Sequence, residues 1–460
     1  MLFNSYLFIF AFLPIVLAVY ALLNHYRLFQ GAKGWLALAS LIFYGWWNVK
    51  FVPLLLLSIA FNFMLGRALR AFPSGNGRKC MLGLGLIVNL LALGLFKYAD
   101  FAIVNWNHLT GQSFPLPGLA LPLGISFFTF TQIAYLVDAY RSETSEYSIV
   151  NYVLFVTFFP HLISGPILHH KEMIPQFDRL RNKVWNWKHI HEGSLRFAIG
   201  LAKKMVLADS LAVYANSGFA SASGFLDSWV AALAYTLQLY FDFSGYTDMA
   251  IGAALLFNIR LPENFSAPYL AVGVQDFWRR WHMTLSRFLR DYIYIPLGGS
   301  RKGFTRALFN VMLTFLIGGI WHGAGWMFIL WGLLHGAAQA AERVWKRWGF
   351  PLPRRLAWLL TFGFLNITWV FFRAETQDTA IRLLKGMAGF SGSGIKSLPE
   401  LLGGIVLIAI LLYVTLRHPL QAEKLRNLRP GPGSAVVMAV LMIVSLMFFS
   451  RISVFLYFNF

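Results

Sequence analysis

From Leu2 to Leu23 the chain carries no charged residue. An α-helix needs about 20 residues to cross a hydrocarbon core ~30 Å thick, and this run supplies them. The pattern recurs, with comparable apolar segments near residues 35–49, 51–69, 81–96, 119–140, 195–214, 229–258, 307–320, 326–341, 356–372, 403–416 and 434–450. Lipid offers no hydrogen-bond partner to a bare backbone, so such segments span as helices. The expectation is an all-α polytopic membrane protein with about eleven or twelve transmembrane helices, forming one membrane domain over residues 1–460. A further apolar segment, 149–166, has basic sequence beyond it and reads as a re-entrant dip. The longer polar stretches 167–194 and 259–306 contain amphipathic material suited to interfacial helices.

Composition agrees. Apolar residues make up 58% of the chain and charged ones 13%, against roughly 25% charged in an average soluble protein. Too few charges remain to cover a water-facing exterior. The 39 Lys and Arg against 19 Asp and Glu leave a net charge of +20. In a membrane chain this excess is the product of positive-inside loops and anionic headgroups. No soluble basic domain is present to bind nucleic acid, which is not expected as a partner. Loops at 67–79, 169–194, 259–306, 342–355 and 417–430 are rich in Lys and Arg, whereas 99–118, 215–228 and 373–402 are neutral or mixed. Arg27 and Lys33 follow the first apolar run, which has no small-residue cleavage site, so the N-terminus is expected outside and uncleaved. The single cysteine, Cys80, leaves no intramolecular disulfide and no Cys-based metal site.

Phosphate loops, G-x-S-x-G elbows and H-E-x-x-H zinc helices are missing. No repeat relates the two halves, which weakens an inverted-repeat transporter reading. Ionisable groups within apolar sequence therefore become the candidates. The first constellation is 275–291, QDFWRRWHMTLSRFLRD. As one interfacial amphipathic helix it puts Trp278, Trp281, His282, Leu285 and Leu289 on an apolar face, with Arg279, Arg280, Arg287 and Arg290 over the rest. A membrane-surface anchor accounts for the same residues. The second is Gly318–Gly325, GGIWHGAG, where glycines around His322 leave room either for another molecule or for a tightly packed helix. Gly332, His335, Gly336 and Gln339 continue it as a small, polar stripe at helical spacing.

The run Tyr240–Asp248 places Asp242, Ser244 and Asp248 in a span-length apolar segment, where carboxylates either pair for structural reasons or line a wet cavity. Pro160–Pro166 reads as a helix break. His169, His170, His189 and His191 lack metal-ligand spacing, and no metal is expected.

Together, Tyr240–Gly252, DFWRRWHMTLSRFLRDYIYIPLGGSR and GGIWHGAGWMFILWGLLHG resemble the signature segments of the membrane-bound O-acyltransferase (MBOAT) superfamily. The resemblance is to its bacterial branch of alginate O-acetylation (AlgI-like), cellulose acetylation and teichoic-acid D-alanylation proteins. It implies an MBOAT-type helical ring with a thin centre, where a cytoplasmic tunnel meets an outward-facing funnel. It also implies an O-acetyltransferase of the bacterial cytoplasmic (inner) membrane, acting on an exported polysaccharide such as alginate or cellulose. His322 matches the family's catalytic histidine and His282 its second active-site histidine. No bound cofactor is implied: the donor is a thioester, acetyl-CoA or an acyl-carrier conjugate, and the partners are membrane lipids and a polysaccharide acceptor or a periplasmic SGNH-type acetyltransferase.

On this reading His322 is a general base, and His282 hydrogen-bonds the thioester carbonyl or orients the donor. Asp242, Ser244, Asp248, Trp278, Trp281, Ser286, Trp321, His335 and Gln339 line or support the tunnel. Arg279, Arg280, Arg287 and Arg290 are candidates for the donor's phosphates, a role that positive-inside topology rivals. The competing classes are a flippase or transporter for an acyl donor or lipid-linked sugar, and a scaffold subunit of a polymer secretion complex.

Overall fold

The structure, a computed structural model, describes residues 1–144, 147–163, 165–390, 398–417, 425, 427–428, 430–449 and 455–456. Every regular element among them is helical. Two compact units divide the chain. The first comprises Met1–Phe197, Thr247–Pro262 and Pro430–Ala435. It holds α1 (Leu13–His25), α2 (Phe29–Gly45), α3 (Val52–Ala71), α4 (Asn76–Thr110), α5 (Ile125–Tyr140), α6 (Ile149–Thr157), α7 (Phe159–Leu162), α8 (His170–Asp178) and most of α9 (Trp187–Ala202). The second comprises Ala198–Tyr246, Glu263–Arg429 and Val436–Phe460. To it belong α10 (Asp209–Ser221), most of α11 (Phe225–Leu256), α12 (Val274–Trp278), α13 (Met283–Leu289), α14 (Phe304–His322) and α15 (Trp326–Trp348). It also holds α16 (Arg354–Arg373), α17 (Gln377–Met387), α18 (Leu398–Arg417) and most of α19 (Pro432–Met447).

In the first unit, α3, α4 and α5 pack together through small residues. A methyl group on Gly85 would fall 2.6 Å from Leu65 and 2.7 Å from Leu136. Asn62 and Asn89 exchange amide hydrogen bonds of 3.1 and 2.7 Å between α3 and α4, satisfying polar groups that apolar surroundings would otherwise penalise. The outer faces of the same helices leave Leu57 69% and Leu91 65% exposed. Contiguous apolar surface of this kind is untenable in water and ordinary against acyl chains. Segment 149–166 folds as α6 and α7, too short to span, with the break at Phe158 just before Pro160; Ser164 lies outside the described residues.

Among the described residues, six helices are long and apolar enough to cross a membrane: Phe8–His25, Val49–Ala71, Asn76–Thr110, Phe304–His322, Arg354–Arg373 and Leu398–Arg417. Other expected spans form shorter helices, α2 of 17 residues and α5 and α19 of 16 each. Segments 195–214, 229–258 and 326–341 are helical but carry more polar residues, such as His335 and Gln339 in α15.

In the second unit, a three-residue turn, Gly323–Gly325, returns α14 onto α15. Their backbones meet at Gly319 and Gly332: a methyl on Gly332 would lie 2.5 Å from the Phe315 carbonyl oxygen and 3.0 Å from the Gly319 Cα. Gly319 thus admits the neighbouring helix. This contact fixes the heights of His322 on α14 and of His335 on α15.

Candidate active site

The segment 275–291 is not one continuous helix. It breaks into α12 and α13, and His282 stands between them in the left-handed region with φ +42°. A non-glycine residue there costs on the order of 1–3 kcal/mol, so surrounding contacts must hold it. Asn264 does so. Its Oδ1 accepts from the Thr284 backbone N–H at 3.2 Å and the Thr284 hydroxyl at 2.7 Å, while its backbone carbonyl accepts from the Met283 N–H at 3.0 Å. Helical periodicity assumes a uniform backbone, and nothing in the sequence marks Asn264 as the residue that breaks it.

The kink turns His282 inward, where it is fully buried. Its Nδ1 lies 3.3 Å from the same Asn264 Oδ1. Because that oxygen already accepts from a backbone N–H, it is an acceptor, and Nδ1 must carry the hydrogen. Burial pushes the imidazole down to about 3, so it stays neutral at physiological pH. In this tautomer Nε2 presents a lone pair. While the ring is neutral, its one hydrogen is directed at Asn264.

His322, the last residue of α14, is buried among rings. Trp321 and Trp331 lie 5.0 Å away between centroids and Phe372 5.2 Å away, all edge-on. Trp321 is also 6.4 Å from His282, so the two histidines share this neighbour. On the other side, Trp331 sits 4.7 Å from His335. His335 accepts on Nδ1 from the Trp278 indole N–H at 3.2 Å and touches Phe315 at 6.4 Å. A run of rings thus links His282, Trp321, His322, Trp331, His335 and Trp278. Trp281 packs deeper, against Phe277 and Trp369.

Trp278, Phe315 and Gln339 form part of the wall of a cavity of about 550 Å³, within the size range of ligand pockets. Its lining includes Ser286 and four arginines, Arg279, Arg287, Arg290 and Arg343, of which Arg290 is paired with Asp291 at 2.7 Å. Arg280 is not among them; its guanidinium pairs with Asp276 at 2.8 Å. Arg343 was missed in sequence, although it continues the stripe 332, 335, 336, 339 by one turn. Arg343 also donates to the Tyr294 hydroxyl at 2.8 Å.

The acidic run on α11 serves structure. Asp242 pairs with Lys204 at 2.8 Å, and Lys204 pairs with Asp209 at 2.7 Å, all three buried. The Leu456 backbone N–H also donates to Asp242. The signal for Lys204 was a lysine pair inside the apolar segment 195–214. Ser244 is buried on the same helix. Asp248 belongs to the first unit, 4.0 Å from Arg196. The four loop histidines do not gather. His170 bonds Asp138 and Tyr147, with His169 3.7 Å from Asp138, while His189 bonds Asn258 and His191 bonds Ser434.

Helical bundle, buried histidines and basic cavity define a polytopic membrane protein with an arginine-lined cavity beside a histidine-bearing ring cluster. Comparison with known proteins is specific. The profile of the membrane-bound O-acyltransferase family, MBOAT, matches residues 105–374. The peptidoglycan O-acetyltransferase of Helicobacter pylori is 48% identical over 434 residues, covering 87% of this chain and 82% of that protein. The probable alginate O-acetylase AlgI of Pseudomonas aeruginosa is 42% identical over 401 residues, 85% and 75% of the two chains. The teichoic acid D-alanyltransferase of Bacillus subtilis is 27% identical over 308 residues, 63% and 77%. The chain belongs to the membrane-bound O-acyltransferase family and is a multi-pass membrane acyltransferase.

Proposed function

We propose that this chain moves an acetyl group from a cytoplasmic thioester, acetyl-CoA or an acyl-carrier conjugate, across the bacterial inner membrane for O-acetylation of an exported polysaccharide. The observation that carries this reading is the run of rings joining an arginine-lined cavity to His322. Arginine guanidinium groups bind phosphate bidentately, and both donors carry phosphate on a pantetheine arm. Arg279, Arg287 and Arg343 hold the phosphates, with Arg290 beside them paired to Asp291; Arg280, paired to Asp276 and outside the lining, does not.

His322 takes the proton of the acceptor hydroxyl as its oxygen attacks the thioester carbonyl, a role worth about 10²–10⁴ in rate. His282, with its lone pair on Nε2, orients the reactants by accepting a hydrogen bond. Acceptors of this class fit the names of the relatives, which are drawn from peptidoglycan and alginate. The N-terminus lies outside, and an SGNH-type periplasmic protein is the partner that completes transfer to the sugar.

The test uses purified protein in liposomes with donor thioester enclosed. Consumption of the donor should require an acceptor outside and should cease in His322→Ala, with His282→Ala strongly impaired. Acceptor-independent passage of the donor would make the protein a transporter, and full activity of His322→Ala would remove it as the base.

A further inference from the structure

Three buried N–H donors in the ring cluster lack acceptors. Trp331 Nε1, Trp369 Nε1 and His335 Nε2 make no hydrogen bond among the described residues. Their residues are at most 1% exposed. For His335 the proton position follows from Trp278. An indole N–H only donates, so Nδ1 of His335 must accept, and the neutral ring carries its hydrogen on Nε2. The three rings touch: Trp331 and Trp369 stack at 5.9 Å, His335 lies 4.7 Å from Trp331, and His335 lies 6.3 Å from Trp369. Each buried, unsatisfied donor costs about 1–3 kcal/mol. A cluster of donors with no acceptor marks a place where something else supplies the acceptor.

We propose that the N–H groups of Trp331, Trp369 and His335 form the donor lining that receives the thioester carbonyl oxygen during acyl transfer. The inference rests on the thioester-donor reading above. One observation assigns the role here: Trp331 lies between His335 and His322, next to the group that deprotonates the hydroxyl.

The hydroxyl oxygen forms its bond to the carbonyl carbon and its proton passes to His322. The carbonyl electron pair moves onto oxygen, where the N–H groups stabilise it. Collapse breaks the carbon–sulfur bond, and the proton on His322 passes to the departing thiolate. Products are the ester and the free thiol, with no further reactant.

The experiment measures binding of two uncleavable analogues to full-length protein in nanodiscs. One is a ketone with methylene in place of sulfur, which keeps the carbonyl; the other is an S-ethyl thioether, which lacks it. Each is offered on coenzyme A and on a carrier protein's phosphopantetheine, which separates the two donor sources. Wild type should prefer the ketone about tenfold or more on the carrier it accepts. Trp331→Phe, Trp369→Phe and His335→Phe, which keep a ring and remove the N–H, should each cut that preference at least threefold and leave thioether affinity unchanged. In turnover they should lower kcat about 10²-fold with little change in KM. An unchanged preference in variants that fold, checked by size-exclusion and thermal melting, overturns the proposal. Trp→Phe at two independent positions guards against one misfolded variant. Wild type that binds neither analogue on either carrier overturns the thioester reading and this inference with it.

Discussion

Gly332→Ala separates a packing role for the glycine stripe from an open space beside His322. The added methyl would sit 2.5 Å from the Phe315 carbonyl oxygen, whereas ordinary contact begins at 3.4 Å. Both atoms belong to the backbones of α14 and α15, so the helices must part by about 1 Å. Overpacking of this kind costs about 1–3 kcal/mol. Without the clash, glycine to alanine in a helix interior stabilises by about 1 kcal/mol, so the sign discriminates. Gly332 adjoins Trp331 and lies three residues before His335, and a 1 Å displacement of such groups relative to His322 costs about 10² in rate. The assay is acetyl transfer together with thermal unfolding in nanodiscs. Gly363→Ala on α16, whose methyl would meet nothing within 4 Å, is the control and should be active and slightly more stable. If Gly332→Ala is as stable and as active as Gly363→Ala, the helices do not rely on this contact.

Arg287→Ala and Arg343→Ala should each raise the donor KM about tenfold or more, since charge-assisted hydrogen bonds are worth ~1.5–3 kcal/mol. Arg280→Ala should stay within about twofold; steady-state kinetics with varied donor decide both. Lys204→Met leaves Asp209 and Asp242 buried without their shared cation, and denaturant titration in detergent should show a loss of about 3–5 kcal/mol, partly recovered by adding Asp242→Asn. His282 binds its proton far less readily folded, at about 3, than unfolded, near 6.5. Its stabilising contribution is complete above about pH 6.5 and is lost as pH falls toward 3, by ~1.4 kcal/mol per unit. Thermal melts from pH 7 to 5 should therefore fall more steeply for wild type than for His282→Asn.

Helices and their order were legible because lipid forces each apolar run to satisfy its own backbone, so length and composition suffice. The glycine stripe was also visible, but not its purpose: only the packed pair α14–α15 shows that Gly319 and Gly332 face each other. Periodicity failed at 279–282, where the backbone leaves the helix under the pull of Asn264, 18 residues earlier in the chain. Tertiary hydrogen bonds of that kind leave no local signature. The clustering of the arginines was legible, but not which of them line the cavity, since local spacing could not tell that Arg280 pairs with Asp276 or that Arg343 enters from α15.

The protein keeps charge and chemistry apart. Guanidinium groups line the cavity. Beyond Trp278 the ring cluster around His322 and His335 offers imidazoles and indoles instead. This ordering suits a ligand whose charge sits at one end and whose reactive carbonyl sits at the other. In the proposed reaction the anionic end stops at the arginines, while the uncharged thioester proceeds into low-dielectric surroundings where N–H donors act most strongly on developing negative charge. A lysine or arginine placed beside His322 would hold that charge too, but it would need a counter-ion of its own, as Lys204 needs Asp209 and Asp242. Indole and imidazole N–H groups need none, which is why tryptophan and histidine are the residues this interior uses.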